Sequence, residues 1–252
     1  MVALAELVRY ADELLRVREF ADYCPNGLQV EGRAQVRRVV SGVTASQVLI
    51  EAAVAAGADV LLVHHGYFWK GEDPRLVGMK GRRIGALFAA GISLLAYHLP
   101  LDAHPELGNN AQLARRLGLS IDGVVDDGSR MPLILRGQLP RAFTPAALAD
   151  HIGDALGRAP VHVAGGPDRI RTVAWCTGAG QRFIDAAADA GVDAFISGEI
   201  SEPTAHVARE RGIHYFAAGH HATERDGVRA LGERLAAEFG LEHRFVDLDN
   251  PA

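Results

Sequence analysis

Two stretches of this chain repeat the same order of predicted strands and helices, and that repeat is the strongest constraint on the fold. Residues 51–66 align with residues 185–200 through a shared Gly-x-Asp step, and residues 88–98 align with residues 208–220 through a shared Gly-Ile step. In both halves short strand-like runs alternate with Ala-rich helical runs, which is typical of α/β layers over a largely parallel sheet. Chance similarity between Ala-rich segments is the alternative. We therefore predict two similar α/β lobes related by an internal repeat.

Hydrophobic periodicity and turn residues locate the individual elements. Strands are predicted over residues 37–43, 59–63, 92–97, 133–139, 171–177, 193–197 and 213–218. Helices are predicted over residues 46–57, 81–91, 109–119, 144–156, 181–191 and 202–212. Thr44 or Ser46 is the expected N-cap of the first of these helices, and Asn109 or Asn110 is the expected N-cap of the third. Thr144 is the expected N-cap of the fourth.

A polar, turn-rich stretch over residues 122–132 separates the two halves. Clusters of Gly, Asp and Ser between periodic segments are typical of loops, so the lobe boundary is placed there. Lobe 1 then covers about residues 1–121 and lobe 2 about residues 132–252, within a single domain over residues 1–252. The length of 252 residues is sufficient to bury a core in one large domain or in two small ones.

Composition narrows the possible functions. The chain has 26 Lys and Arg against 31 Asp and Glu, a net charge of −5, which gives no global attraction to nucleic acid or to an anionic membrane. The longest charge-free run, residues 84–101, is interrupted by Gly, Ser, His and Pro and is too short in apolar residues to span a bilayer. Residues 1–17 have the spacing of an amphipathic helix rather than of a signal peptide. We expect a cytoplasmic protein with neither a membrane nor a nucleic-acid partner.

The cysteines also exclude a class of site. Only Cys24 and Cys176 are present, far apart in sequence and in no C-x-x-C motif. Neither a disulfide framework nor a cysteine-based zinc site is therefore encoded. Cys176 lies in a predicted strand, which indicates a buried, inert thiol. Any metal in this protein is expected to be held by histidine and carboxylate.

Six of the 11 histidines fall in three tight groups, each after a predicted strand: His64 and His65, His98 and His104, and His220 and His221. Ligands and catalytic groups gather at the carboxyl edge of an open α/β sheet. Asp102 follows His98 by four residues. Glu224 follows His220 by the same spacing, at the matching place in the second repeat. If His220 opens a helix, it shares a face with Glu224, and such a pair is suited to a divalent cation.

These histidines and carboxylates supply more ligands than one tetrahedral ion requires, so a two-metal site bridged by a carboxylate is expected. Glu224 or Asp102 is the expected bridge. His64 and His65 would point to opposite faces if the strand continued through them. Gly66 permits the chain to turn, so that both side chains converge.

Other residues near these groups carry weaker signals. His104 and His221 are the weakest members of the three groups. Tyr67, Phe68 and Trp69 follow the first His pair and are available to line a pocket for a planar substrate, with packing over a loop as the alternative. The remaining histidines have no clustered partners and are interpreted as structural or surface residues: His151, His162, His206, His214 and His243.

Five segments carry a family resemblance in this order and spacing: residues 25–32, 42–46, 63–66, 97–104 and 219–225. They resemble the NIF-three-like family, the dinuclear-metal-centre hexameric proteins described as GTP cyclohydrolase I type II homologs. The resemblance covers nearly the whole chain and fits the short bacterial form. It implies a NIF-three-like fold with a pair of metal ions in the cleft between two α/β lobes. It also implies a toroidal homohexamer, a trimer of dimers.

The resemblance further implies which residues hold the metal ions. The implied ligands are His64, His65, Asp102, His220 and Glu224, with His98 close by. Histidine with carboxylate suits iron, zinc, manganese or nickel, so two divalent ions of one of these elements are expected.

Two functions are compatible with such a centre. The first is a metal-dependent hydrolase of a small nucleotide-like substrate, similar to a GTP cyclohydrolase, with His98 as the general acid or base. The second is a non-catalytic metal-binding or regulatory adaptor. Loss of turnover on metal removal distinguishes them.

Overall fold

The computed structural model describes residues 1–128, 131 and 133–252. Positions 129, 130 and 132, which belong to the predicted linker, lie outside the described residues. The described part has the predicted mixed α/β fold. It divides into two compact units, the first formed by Met1–Leu107 with Gly227–Asp249 and the second by Gly108–Asp226 with Asn250–Ala252. The predicted lobe limits follow the polar, turn-rich stretch over residues 122–132, whereas these units follow tertiary contacts, so the two divisions differ at their boundaries.

The secondary structure alternates between strands and helices along the chain. The strands are β1 Val2–Ala3, β2 Gly27–Val30, β3 Gln35–Val36, β4 Arg38–Thr44, β5 Val60–His65, β6 Ser93–Ala96, β7 Gly123–Val124, β8 Leu135–Phe143, β9 Val161–Val163, β10 Ile170–Cys176, β11 Ala194–Ser197, β12 His214–Ala217 and β13 Glu242–Phe245. The α-helices are α1 Leu4–Leu14, α2 Gln47–Ala55, α3 Gly78–Ala90, α4 Leu99–Asp102, α5 Asn109–Leu117, α6 Pro145–Leu156, α7 Ile184–Asp189, α8 Glu202–Arg211 and α9 His220–Phe239. Two 3-10 helices cover Val17–Glu19 and Gly180–Phe183.

The described part of the first unit holds a five-stranded sheet in the order β13-β4-β5-β6-β2. The first four strands are parallel, and β2 is antiparallel to β6. Successive residues of β5 belong to different cores: Leu62 packs with α1 and α9, and Leu61 packs with α2 and α3. Both faces of the sheet are therefore covered, which explains the unbroken apolar run of β5.

In the second unit, the described strands form a six-stranded sheet in the order β7-β8-β10-β11-β12-β9. The central β10, β11 and β12 are parallel, β8 and β9 flank them in the antiparallel direction, and β7 is antiparallel to β8. Trp175 packs on the face covered by α5 and α6, while Phe195 packs on the face covered by α7 and α8. The three parallel strands bring their carboxyl ends to one edge of the sheet.

The aligned Gly-x-Asp steps have the same local structure in both units. Gly57 and Gly191 have φ values of 64° and 70°, in the left-handed region that glycine adopts without strain. Asp59 Oδ2 accepts hydrogen bonds from two successive backbone N–H groups at the start of β4. Asp193 Oδ2 accepts the equivalent pair at the start of β10. In each unit, the aspartate of the Gly-x-Asp step therefore joins the start of one parallel strand to the turn that precedes the neighbouring strand.

Most of the predicted elements are confirmed, including two of the predicted helix caps. Ser46 Oγ accepts a hydrogen bond from Leu49 N, and Thr144 Oγ1 accepts one from Ala147 N. The helix predicted over residues 181–191 is wrong at its start, because a 3-10 turn precedes α7. Among the described residues, none of the helices has the length and apolar character needed to cross a membrane.

The prediction that Asn109 or Asn110 caps α5 is wrong. The N-cap is Gly108, and no side chain caps this helix. Both asparagines are buried instead. Asn110 Oδ1 accepts a hydrogen bond from Thr177 N, and the backbone oxygen of Asn110 accepts one from Trp175 Nε1, each at 3.0 Å. The oxygen atoms of Asn110, which the sequence predicted to be at a helix cap, therefore accept hydrogen bonds from the end of β10.

We expect Asn110→Ala to lower the free energy of unfolding by about 1–3 kcal/mol, because the buried N–H of Thr177 loses its acceptor. Urea denaturation followed by circular dichroism measures the change. Arg115→Ala on the exposed side of α5 is the control and should have little effect. Equal stability of the two variants would contradict the structural role of Asn110.

Candidate metal centre

Three histidines meet at the carboxyl end of the parallel strands in the first unit. His64 and His65 are the last two residues of β5, not the residues after it as the sequence predicted. Their ring centroids nevertheless lie 4.5 Å apart, and the ring of His98 lies 5.1 Å from that of His64. His64 is fully buried and His98 nearly so. One ligand atom from each of the three lies within 4.8 Å of the others.

The orientation of His64 is fixed by a backbone carbonyl. Its Nδ1 lies 2.8 Å from Tyr97 O, and because a carbonyl only accepts, Nδ1 is the donor. In the neutral ring, Nε2 then carries the lone pair that a metal requires. Nε2 lies 3.5 Å from Oδ1 of the buried Asp102. Two ligand atoms, each about 2.1 Å from a tetrahedral ion, are about 3.4 Å apart, so this separation suits ligands of one ion.

His65 and His98 are oriented through the same ring atom. Nδ1 of His65 lies 3.1 Å from Thr44 Oγ1. Nδ1 of His98 donates to Asp22 Oδ1 at 3.0 Å. Burial acts to raise the pKa of Asp22, but hydrogen bonds from His98 and from nearby amides lower it overall, so the carboxylate stays ionised. A carboxylate on Nδ1 directs Nε2 towards a metal or a reacting proton.

The aromatic residues after His65 differ in their positions. The ring of Trp69 lies 5.1 Å from that of His98, and the ring of Tyr23 lies 5.0 Å from it. Tyr67 is buried and donates its hydroxyl hydrogen to Ala45 O, so it is a core residue. Phe68 packs under the ammonium group of Lys80. Of the three predicted pocket residues, only Trp69 contacts the histidine group, and Tyr23 was not predicted.

Cys24 is close to this group, although the sequence excluded cysteine from the site. Its Sγ lies within 4.8 Å of ligand atoms of Asp22 and His98. Burial and the neighbouring Asp22 raise the pKa of Cys24 to about 12. In the metal-free protein the thiol is therefore neutral, and histidine and carboxylate are the charged or lone-pair donors there.

The second unit places a histidine and a carboxylate on the first turn of α9. His220 opens the helix, and Glu224 follows one turn later, with His220 Nε2 and Glu224 Oε2 separated by 3.1 Å. His220 Nδ1 donates to Glu199 Oε1 at 2.7 Å, and Glu199 follows β11. Gln181 Nε2 donates to the other oxygen of Glu199. His220 therefore has the same Nδ1 support as the three histidines of the first unit.

Glycine backbone closes around this pair. Gly178, directly after Thr177 at the end of β10, has a φ of +62°, and a Cβ on it would lie 2.0 Å from Glu224 Oε1 and 3.1 Å from His220 Nε2. A side chain at residue 178 would collide with Glu224, so only glycine allows the backbone to approach the two ligand atoms this closely. His220 Nε2 and the buried Glu224 Oε2, 3.1 Å apart, are donor types that fit a divalent cation.

The charges around His220 favour a positive group. Burial acts to lower the pKa of His220, but the carboxylates of Glu224 and Glu199 raise it by more, so that the pKa is about 9. The same field that holds a proton on Nε2 attracts a metal cation in its place, and the two compete for one lone pair.

The remaining histidines have structural partners. His104 Nδ1 accepts hydrogen bonds from Glu106 N and Leu107 N, so it holds a turn together. The backbone N–H of His221 donates to Ala252 O. The five histidines interpreted as structural each have a hydrogen-bond partner: Leu117 O for His151, His214 for His162, Glu202 for His206, Pro167 O for His214 and Ser41 for His243.

Sequence reasoning missed the two carboxylates that support Nδ1, Asp22 and Glu199. A signal for Glu199 was available, because the aligned repeats place it opposite His65. No such signal exists for Asp22, which lies in an irregular segment before β2. The sequence also predicted that His98 and His220 occupy matching positions in the two repeats, but their positions differ by one residue. His98 is the second residue after β6, and His220 is the third residue after β12. Gly219, with a φ of +101°, accounts for the additional residue.

Comparison with known sequences identifies relatives over the whole chain. The sequence model of the Duf34/NIF3 family, described as NGG1p interacting factor 3, matches residues 2–251. A Pseudomonas aeruginosa protein named GTP cyclohydrolase 1 type 2 homolog is 59% identical over 251 residues, which cover 100% of this chain and 99% of that protein. An Escherichia coli K12 protein of the same name is 53% identical over 248 residues, with 98% of each chain covered.

Solved structures have the same fold. A structural-genomics protein called ybgI, of unknown function, has a TM-score of 0.96 and 52% identity, with both chains fully covered. The protein TTHA1606 from Thermus thermophilus has a TM-score of 0.90 and 39% identity, again with full coverage. A Bacillus cereus protein related to NIF3 has a TM-score of 0.86 at 17% identity, which supports the fold alone.

In metal-free protein, we expect Glu199→Gln to lower the pKa of His220 from about 9 towards its ordinary value, because an acceptor charge is lost from Nδ1. An NMR titration of the imidazole in the presence of chelator measures the pKa. The control is Glu202→Gln, which removes the carboxylate of the exposed His206–Glu202 pair instead. An unchanged pKa of His220 in Glu199→Gln would contradict the assigned hydrogen bond.

The raised pKa of His220 also makes the free energy of unfolding depend on pH. A histidine whose folded pKa exceeds its unfolded value of about 6.5 stabilises the fold below that pH. We expect this contribution to metal-free protein to be lost as the pH rises towards about 9. Glu199→Gln should reduce that loss.

Proposed function

Because this chain belongs to the Duf34/NIF3 family, we propose that it is a divalent-metal-binding protein with a dinuclear histidine and carboxylate site that hydrolyses a small nucleotide-like substrate. The proposed ligands are His64, His65, Asp102, His220 and Glu224. Histidine and carboxylate ligands suit iron, zinc, manganese and nickel, so the proposed metal is one of these four.

One observation carries the proposal: the four clustered histidines all have Nδ1 beside a protein oxygen atom. The partners are Tyr97 O for His64, Thr44 Oγ1 for His65, Asp22 for His98 and Glu199 for His220. Histidines used only for packing would not be expected to place the same ring nitrogen, Nδ1, beside an oxygen in all four cases. Support at Nδ1 leaves Nε2 for the metal, which is the arrangement common in metalloproteins. Buried carboxylates lie within each unit beside Nε2 of His64 and of His220.

The chemistry follows from the residues around the site. When bound, divalent ions supply an activated water nucleophile and polarise the bond under attack. His98, supported by Asp22 and flanked by Trp69, has Nε2 available to accept or return a proton. The ionised Asp22 stabilises the ring when it is protonated, as a carboxylate does for a histidine base.

The proposed substrate is small rather than polymeric. The rings of Trp69 and Tyr23 lie beside His98 and offer apolar surface for a planar group. A nucleic-acid polymer would need a basic track, which the net charge of −5 does not favour. The relatives named GTP cyclohydrolase 1 type 2 homolog make the purine ring of GTP the first candidate.

The second candidate function is a non-catalytic metal-binding or regulatory adaptor. The names of the relatives state either homology to a cyclohydrolase or an unknown function. Because neither name assigns a reaction, a non-catalytic role is kept as the alternative. In both cases the family resemblance supports a toroidal homohexamer, a trimer of dimers. The cytoplasmic location stays a prediction.

We expect purified protein to carry close to two divalent ions per chain, since five ligands exceed the needs of one tetrahedral ion. Elemental analysis after gel filtration, on protein grown with sufficient metal and without chelator, measures the content. Glu224→Ala should lose far more metal than His104→Ala, because His104 Nδ1 is already used by two backbone amides. Circular dichroism checks that both variants are folded. A reproducible absence of metal in the wild-type protein would remove the proposed site.

We expect metal-loaded protein to consume a purine nucleotide or another small metabolite, and chelation to stop the reaction. GTP is tested first, followed by a metabolite-depletion screen. His98→Ala should lower turnover by about 100-fold with metal content preserved, as loss of a general acid or base does. If His98→Ala removes the ions instead, His98 is a ligand. If no metabolite is consumed by fully loaded protein, the hydrolase proposal is wrong and the adaptor remains.

A further inference from the structure

A cavity of about 840 Å³ lies in the first unit, apart from the residues placed in the metal centre. One wall is α1, and the others are the 3-10 helix Val17–Glu19, β2 and the β1 and β3 segments. This volume is within the range of cavities that hold small molecules. Because none of the proposed metal ligands is among the described residues that line it, any ligand here is additional to the proposed substrate.

The sequence of α1 explains why the helix has both a buried face and a face towards this cavity. Leu7 and Ala11 are fully buried in the core of the first unit. Val8 and Asp12, each one position further along, line the cavity. Leu4 and Leu28 add apolar surface on either side. The lining therefore combines these apolar side chains with the half-buried carboxylate of Asp12.

That carboxylate has an incomplete set of partners. Asp12 Oδ1 accepts the hydroxyl hydrogen of Tyr97 at 2.8 Å, which is the one hydrogen bond to Asp12 among the described residues. Burial raises the pKa of Asp12 by more than the Tyr97 bond and the charge of Arg18 lower it. No described cation lies within ion-pair distance of Asp12. A half-buried carboxylate of this kind is stabilised by a hydrogen-bond donor with a positive charge.

Of the charged groups at the cavity rim, Arg18 acts on Asp12 from a distance, and none of the described ones forms an ion pair with it. Arg16 and Glu19 pair with each other at 2.6 Å. The other rim residues comprise two arginines and two glutamates: Arg9, Arg18, Glu13 and Glu31. Since these charges balance, Asp12 gives the cavity a net charge of about −1. The cavity thus combines apolar side chains with one carboxylate, Asp12, that forms no ion pair among the described residues.

We propose that this cavity is a second ligand site, which binds a small organic cation with an ammonium group on an apolar body. The ammonium group donates to Asp12, and the apolar body packs on Leu4, Val8 and Leu28. Such a ligand satisfies the carboxylate and removes apolar surface from water at once. An uncharged molecule of the same shape satisfies only the second requirement.

The site can be tested with 2-phenylethylamine, which is cationic at neutral pH, and with 2-phenylethanol, which has the same apolar body without the charge. Isothermal titration calorimetry measures both affinities on the full chain. Wild-type protein should bind the amine at least about tenfold more tightly than the alcohol, a difference of about 1.4 kcal/mol. The titration is repeated in chelator, so that the result does not depend on the proposed metal function.

Three variants separate binding from a general effect on the fold. Asp12→Asn keeps an acceptor for Tyr97 and should lower amine affinity about tenfold, to that of the alcohol. Tyr97→Phe removes the competing donor and should raise amine affinity a few-fold. Glu6→Gln removes the same charge from an exposed position of α1 outside the cavity and should change neither affinity. Circular dichroism and light scattering record the fold and the mass of each variant.

Three results would overturn the inference. Equal affinity of wild-type protein for the amine and the alcohol would show that Asp12 does not recognise charge. Unchanged amine affinity in Asp12→Asn would place the binding elsewhere. Failure of both probes to bind, with the oligomer intact, would mean that the cavity is covered by a second copy of the chain or does not admit ligands, and would also end the proposal.

Discussion

The hydrogen bond at Nδ1 of each clustered histidine is the interaction on which the candidate centre depends. An imidazole can rotate about two side-chain torsions and can carry its proton on either nitrogen. A fixed oxygen at Nδ1 restricts the rotation of the ring, and a carbonyl or carboxylate oxygen there also fixes a proton on Nδ1, because it can only accept. The four oxygens come from different sources: a backbone carbonyl, a hydroxyl and two carboxylates. Thr44, Tyr97 and Glu199 lie at or just after strand ends, whereas Asp22 lies in the irregular segment before β2, so the sheets fix three of the four oxygens.

Carboxylates have two separate roles around these rings. Asp22 and Glu199 lie at Nδ1, where they hold the ring. Asp102 and Glu224 lie near Nε2, the side on which a cation would be shared. In the second unit a single ring, that of His220, lies between a carboxylate of each kind. The separation of roles explains why the site contains more acidic groups than the metal ligands alone would require.

The sequence predicted the alternating elements and the clustered histidines well because both depend on local pattern. Ser46 and Thr144 act as caps as predicted, since capping involves only residues three positions apart. Asn110 was misassigned because its partners, Thr177 and Trp175, are distant in sequence. Asp22 was missed for the same reason: its role depends on His98, 76 positions later. Glu199 could have been found, because the repeat places it opposite a histidine.

The pairing of β13 with β4 has a consequence for the order in which the protein folds during synthesis. Residues 1–107 leave the ribosome first, but their sheet lacks an edge strand, and their core lacks Val228, Leu231 and Leu235, until the end of the chain emerges. The second unit is nearly continuous in sequence, from Gly108 to Asp226. Domains fold as units once their parts are available. We therefore expect the second unit to be complete first, while the segment made earlier still lacks β13.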